Sequence, residues 1–189
     1  MVKSKEEIVY DFVDEQTTLK VDFERMQRAV AAILEDADVT HGSIEIAVIA
    51  SEPMHEMNVQ FLGHDYPTDV LAFPLEDDPE AGLLEGSIVV CSDVAVERAA
   101  DYGWPPEDEL LLYVVHGALH LVGYDDHSPE DAPIMHAKER EYLQLVGVDA
   151  SHSRDGDKVE GFVRLAIGDG DFSKRDFLFD GRVAVTRQL

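Results

Sequence analysis

The stretch "LLLYVVHGALHLVGYDDH", residues 110–127, decides how this chain is read. Leu110, Leu111, Leu112, Val114, Val115, Ala118, Leu119, Leu121 and Val122 cover nearly every side of a helix running from Glu109 to Gly123. A helix that is apolar all round is an interior one. It nevertheless carries His116 and His120, four residues apart and so on one face. A buried imidazole left without a partner costs roughly 1–3 kcal/mol. Two neutral imidazoles side by side direct nitrogen lone pairs to one point, and a divalent cation satisfies both. Gly123 ends the helix, and the turn that follows lets His127 fold back toward that point. Three histidines on tetrahedral zinc, with water in the fourth position, is a recurrent catalytic arrangement. In a chain with eight histidines the four-residue spacing alone is a weak signal. The burial and the third histidine strengthen it.

The residue after His116 is Gly117, where zinc peptidases carry the glutamate of H-E-x-x-H. That argues against a peptidase, and Gly117 reads instead as a place of close helix packing. His136 reads as a surface residue or one behind the ligands. His41, His55, His64 and His152 have no partner pattern.

Upstream, the chain alternates between strands and helices. Residues 6–13 are strand-like. In "VDFERMQRAVAAIL", Val21, Phe23, Met26, Val30, Ile33 and Leu34 form a helical stripe. "SIEIAVIA" (43–50) reads as a half-buried strand, and Ser51 as the cap of a short helix with Pro53 in its first turn. "TDVLAFPL" (68–75) and "GSIVVC" (86–91) are two further strands, joined by an acidic loop that suits an antiparallel hairpin. Ser92 caps a helix ending at Gly103. A last helix follows Ser128, unless Pro133 marks its real start. The expectation is an α+β domain over residues 1–150, a mixed sheet packed on helices with a zincin-like histidine helix. Residues 151–189 are expected to be a polar linker and a β-like C-terminal extension.

Forty acidic residues against fifteen basic ones give a formal charge of −25. No Lys or Arg lies between Arg28 and Arg98, and the next after Arg98 is Lys138. Residues 151–189 hold seven of each sign, so the whole excess falls on the first 150. Such a surface keeps a protein in solution and argues on its face against a polyanionic partner. The single cysteine, Cys91, excludes a disulfide framework and a cysteine-rich zinc module, and reads as a small buried hydrophobe. No run of 18 apolar residues exists, and "MVKSKEEIVYDFVDEQ" lacks the apolar core of a secretory signal. A cytoplasmic protein without membrane association is expected.

The string from His116 to Asp125 with His127, and "PTDVLAFP" (67–74) between "MNVQFLGHDY" and "LLEGSIVVC", closely resemble the signatures of the bacterial endoribonuclease YbeY family. The resemblance covers about residues 5 to 147. It implies an α+β fold, one Zn²⁺ per chain held by three histidines, and hydrolysis of single-stranded RNA. It also implies maturation of the 3′ end of small-subunit ribosomal RNA and ribosome quality control, with ribosomal RNA and the small subunit or its assembly factors as partners. Three departures stand out. "YDDH" has one residue more before the third histidine than the family pattern. Either His127 reaches the metal over a longer turn or Asp126 takes its place; imidazole matches the other ligands, so His127 is expected. Leu62 stands where the family carries an arginine able to contact phosphate, and Ser87 where it carries an acid.

A water on the zinc is the expected nucleophile, with no residue securely assigned as acid or base. Asp126 is the one catalytic candidate. Asp125 or Asp126 would orient a ligand imidazole through its second nitrogen. Asn58, Thr68 and Asp69 are candidate substrate contacts, against the plainer reading of turn chemistry around Pro67. With Leu62 unable to hold phosphate, that task would pass to Arg98 or to Arg154, Lys158, Lys174 and Arg175. Two rival readings remain: a zinc hydrolase of a non-RNA substrate, and a non-catalytic ribosome-assembly factor with a structural metal.

Overall fold

A computed structural model describes residues 7–149. The expected extension at 151–189, with its four basic candidates and His152, lies outside the described residues. Nine elements follow one another: β1 (Ile8–Glu15), α1 (Phe23–Asp36), β2 (His41–Ile49), α2 (Ser51–Leu62), β3 (Val70–Asp78), β4 (Leu83–Cys91), α3 (Ser92–Tyr102), α4 (Pro106–Leu121) and α5 (Ala132–Leu145). The strands form one mixed sheet in the order β1-β2-β4-β3. β1 and β4 run parallel to β2, while β3 runs antiparallel to β4 through the acidic hairpin, with an irregularity between Pro74 and Glu76.

Period-two alternation assigns the two faces of this sheet. Ile46, Val48, Val70, Ala72, Ile88 and Val90 join one core, shared with α1, α4 and α5. Their neighbours Ala47, Ile49, Leu71, Phe73, Val89 and Cys91 join a second, under α2 with Met54 and Met57. Helix α1 buries Met26, Ala29, Val30, Ile33 and Leu34, and Asp22 caps it by accepting the Arg25 amide at 3.0 Å.

Every residue of α4 from Glu109 to Leu121 is buried. Gly117 sits where the helix meets the sheet: a Cβ there would lie 2.8 Å from Ile88 Cγ2 and 3.2 Å from Val70 Cγ2. Packing is therefore what this glycine supplies. Pro105 and Pro106 open α4, and Glu107, Asp108 and Glu109 occupy its first turn, where the helix dipole favours acids.

Three helix starts differ from expectation. Ser51 and Ser92 are the first residues of their helices, not caps. The Ser51 amide donates to Asp93 Oδ2 at 2.7 Å, so a carboxylate from the start of α3 caps α2 across space. Asp93 is held below the usual carboxylate range by that bond. Ser92 Oγ donates to the Ile49 carbonyl at 3.2 Å, tying α3 to β2. Helix α5 begins at Ala132, which puts Pro133 in its first turn where its missing amide is harmless. Ser128 instead closes the preceding turn, exchanging hydrogen bonds with Asp131.

Candidate metal centre

The site forms where the C-terminal half of α4 meets α5 and the turn after Gly123. His116 is fully buried and His120 nearly so. Their rings meet edge to face with centroids 4.6 Å apart, and the two Nε2 atoms lie 3.0 Å from each other. His116 Nδ1 is 2.6 Å from Glu139 Oε1, a buried carboxylate on α5. Hydrogen bonding of Nδ1–H to a carboxylate leaves Nε2 as the lone-pair nitrogen for a cation.

The electrostatics of the pair are opposite. Burial pulls the His116 pKa down, but the hydrogen bond and charge of Glu139 more than reverse that and leave it raised. His120 is pushed down to about 3, by burial first and then by His116. The ring of His120 also hydrogen-bonds the Tyr124 backbone. At 3.0 Å the two Nε2 atoms can share one proton as donor and acceptor. A cation meeting both Nε2 atoms replaces that proton.

Asp125, Asp126 and His127 follow in the turn. Asp125 Oδ1 accepts the amides of Asp126 at 2.8 Å and His127 at 3.2 Å, and also pairs with His127 Nδ1. Asp125, held below its ordinary range chiefly by that imidazole, thus orients His127. Asp126 Oδ1 lies 3.6 Å from His120 Nε2 and 3.9 Å from His127 Nδ1. Donor atoms of His116, His120 and Asp126 fall within 4.8 Å of one another, and so do those of Asp125, Asp126 and His127. The two clusters share Asp126. Two imidazoles and a carboxylate converging in a buried place suit a divalent first-row metal.

Thr68 and Asp69 are buried just before β3. Asp69 Oδ1 accepts the Val70 amide at 2.8 Å and the Thr68 hydroxyl at 3.1 Å, and its own carbonyl takes the Cys91 amide at 2.9 Å. Burial raises its pKa to about 6, against the pull of the His116 charge and these donors. Turn chemistry and a position near the histidine helix thus belong to the same side chain. Asn58, fully buried in α2, donates to the Tyr66 carbonyl at 2.7 Å and so anchors the segment leading to Thr68; its Oδ1 has no hydrogen-bond partner among the described residues.

A model of the family described as endoribonuclease YbeY matches residues 11–147. The chain belongs to the endoribonuclease YbeY family. It is 42% identical over 139 residues to the Endoribonuclease YbeY of Rhodopirellula baltica, covering 72% of this chain and 70% of that protein. It is 38% identical to the Endoribonuclease YbeY of Sulfurovum sp., over 74% of this chain and 92% of the relative. The solution structure of TM1509 from Thermotoga maritima is 30% identical, with a TM-score of 0.54, and covers 73% of this chain and 89% of that one. YbeY membership places the chain among RNA-cleaving hydrolases by family name, on the α+β fold described above.

The departures from the YbeY pattern have local accounts. Leu62 packs with Phe61 against the core under α2. Ser87 is buried and donates to Glu45 Oε1 at 2.8 Å, directly across the β2–β4 pairing. Arg98 lies on α3 and His136 on α5, both partly buried. His55 pairs with Asp65 at 2.9 Å, and His64 stacks on Tyr66.

Glu139 is the residue that sequence reasoning missed. A glutamate in a charged helix segment, "HAKEREYLQL", reads as solvated. The signal available was its register: Met135, Glu139, Tyr142 and Leu143 are the buried positions of α5, so an acid occupies the apolar stripe.

Proposed function

We propose that this chain is a metal-dependent endoribonuclease that cuts single-stranded RNA and acts on small-subunit ribosomal RNA at its 3′ end and in ribosome quality control. The observation that carries the reading is the buried His116–His120 pair inside a chain whose residues 11–147 match the YbeY family. Zinc is the proposed ion, one per chain, with His116 and His120 as two ligands and the third from the turn of Asp125, Asp126 and His127. When bound, it supplies Lewis acidity toward a phosphoryl oxygen and lowers the pKa of a coordinated water.

The side chains divide the remaining work. Glu139 holds the His116 ring so that Nε2 faces the ion. The buried stretch of α4 from Glu109 to Leu121 keeps the histidines in one orientation against the sheet, which preorganises the site before RNA arrives. Asn58, Thr68 and Asp69, buried in α2 and just before β3, are proposed to position the substrate strand. The described body is poor in basic residues, so the metal itself is the main local positive charge for a phosphate. Arg98 and the bases at 154, 158, 174 and 175 are proposed to add to it. The proposed partners are ribosomal RNA and the small subunit or its assembly factors. No helix among the described residues is long and apolar enough to cross a membrane.

The test compares cleavage of single-stranded and duplex RNA by zinc-loaded protein, by chelated protein, and by His116→Ala. Cleavage of the single strand that is lost on chelation and in the variant supports the reading. Equal cleavage by metal-free protein and by the variant overturns it.

A further inference from the structure

The turn that follows the histidine helix offers two side chains in succession to the same cation, and the structure treats them differently. Asp126 is turned inward, with 11% of its side chain exposed, and its Oδ1 lies 3.6 Å from His120 Nε2. His127 is turned outward, with 62% of its side chain exposed, and its ring is paired with Asp125. The cause lies in the backbone. Asp125 Oδ1 accepts two successive amides, which fixes the turn, and then takes the His127 ring on its own solvent side. A carboxylate that accepts hydrogen bonds but donates none, placed beside two imidazoles in a largely closed space, needs positive charge. Around an ion with bonds of roughly 2.1 Å in a tetrahedron, ligand atoms stand about 3.4 Å apart. The separations of 3.0 Å and 3.6 Å within His116, His120 and Asp126 bracket that value.

We infer that the metal site of this chain is a two-histidine, one-carboxylate site formed by His116, His120 and Asp126, with His127 outside the ligand set. The inference rests on the metal reading above. It departs from the three-imidazole set in one physical respect: the ligands bring a negative charge and a hard oxygen. Carboxylate oxygen suits manganese better than a third imidazole does. Zinc is still accommodated, but the site discriminates less sharply against Mn²⁺.

The experiment measures binding of Zn²⁺ and of Mn²⁺ to the full-length chain by competition with a chromogenic chelator. Variants are Asp126→Ala, Asp126→Asn, Asp126→His, His127→Ala, and His116→Ala with His120→Ala as the reference for the site itself. Loss of an orienting residue behind a ligand costs roughly 10–100-fold in metal affinity, so loss of a ligand should exceed about 100-fold. Asp126→Ala and Asp126→Asn are expected to weaken zinc by more than that, and His127→Ala by less than about threefold, on the same scale. Asp126→His should retain zinc and lose manganese preferentially. Circular dichroism of the metal-free variants, matching that of the parent, shows that folding is not the cause; Asp126→Asn preserves side-chain size should Asp126→Ala fail to fold. A large loss in His127→Ala, alone or together with the Asp126 variants, overturns the proposed ligand set. So does unchanged binding in Asp126→Asn. If His116→Ala with His120→Ala binds zinc as the parent does, the metal reading itself has failed, a result distinct from these.

Discussion

Helix α4 and the turn at Asp125–His127 lie side by side in the chain and obey different rules. In α4, side-chain direction is a consequence of regular backbone: at 3.6 residues per turn His116 and His120 must share a face, and surrounding apolar residues must bury it. In the turn, direction depends on which amides a single carboxylate accepts, and neighbouring residues therefore face opposite environments. The lesson is that the direction of a side chain follows from spacing within a helix and does not in the turn that follows it. Perturbations of the buried region should accordingly be large, and those of the exposed turn small.

The largest effect expected is on Asp69, packed near the helix side of the site. Its folded pKa of about 6 lies above its ordinary value of 3.8. The native state thus binds the proton more tightly than the unfolded chain does. Its contribution to stability is fully present below the ordinary value and is lost as pH rises through about 6. Asp69→Asn cannot ionise, while its side-chain oxygen still accepts the Val70 amide. In metal-free protein it should gain about 1.4 kcal/mol on the parent between pH 5 and 7.5, the upper part of a full shift worth about 3 kcal/mol. Urea unfolding at the two pH values checks this; a difference that does not grow with pH breaks the contrast on the buried side.

Glu139→Gln comes next. It keeps an oxygen near His116 Nδ1 but removes the charge, and zinc affinity should fall by about 10–100-fold with the fold intact. Competition titration reads it, and unchanged affinity would mean that the 2.6 Å contact orients nothing. Gly117→Ala drives a methyl group against Ile88 and Val70. Overpacking of about 1–3 kcal/mol outweighs the gain of about 0.8–1.0 kcal/mol in helix propensity. Equilibrium unfolding should show a net loss near 1 kcal/mol. The smallest effect belongs to the turn. Asp125→Ala removes exposed hydrogen bonds, and its cost to stability should stay within about 0.5 kcal/mol. A thermal-unfolding shift as large as that of Gly117→Ala would erase the distinction between the two regions.

Much of the architecture was legible along the chain. The stretches 43–50, 68–75 and 86–91 read as strands, and their odd and even residues face different cores. The acidic loop did join an antiparallel hairpin, and Gly103 closes α3 in the left-handed region at φ 70°. The helix caps were not legible. Ser51 and Ser92 have the composition of local caps, yet the amide of α2 is satisfied by Asp93, 42 residues away. Glu139 escaped notice for the same reason: a carboxylate's burial depends on what packs over it.

Residue order alone determined the interior helix, the shared face of His116 and His120 and the alternation of the strands, because each follows from a local period acting on apolar side chains. Only tertiary structure decided that Glu139 stands behind His116, that Asp93 caps another helix, and that Asp126 rather than its neighbour turns inward. Those outcomes depend on hydrogen bonds between distant segments or on the few bonds that set a turn, and neither leaves a period in the sequence.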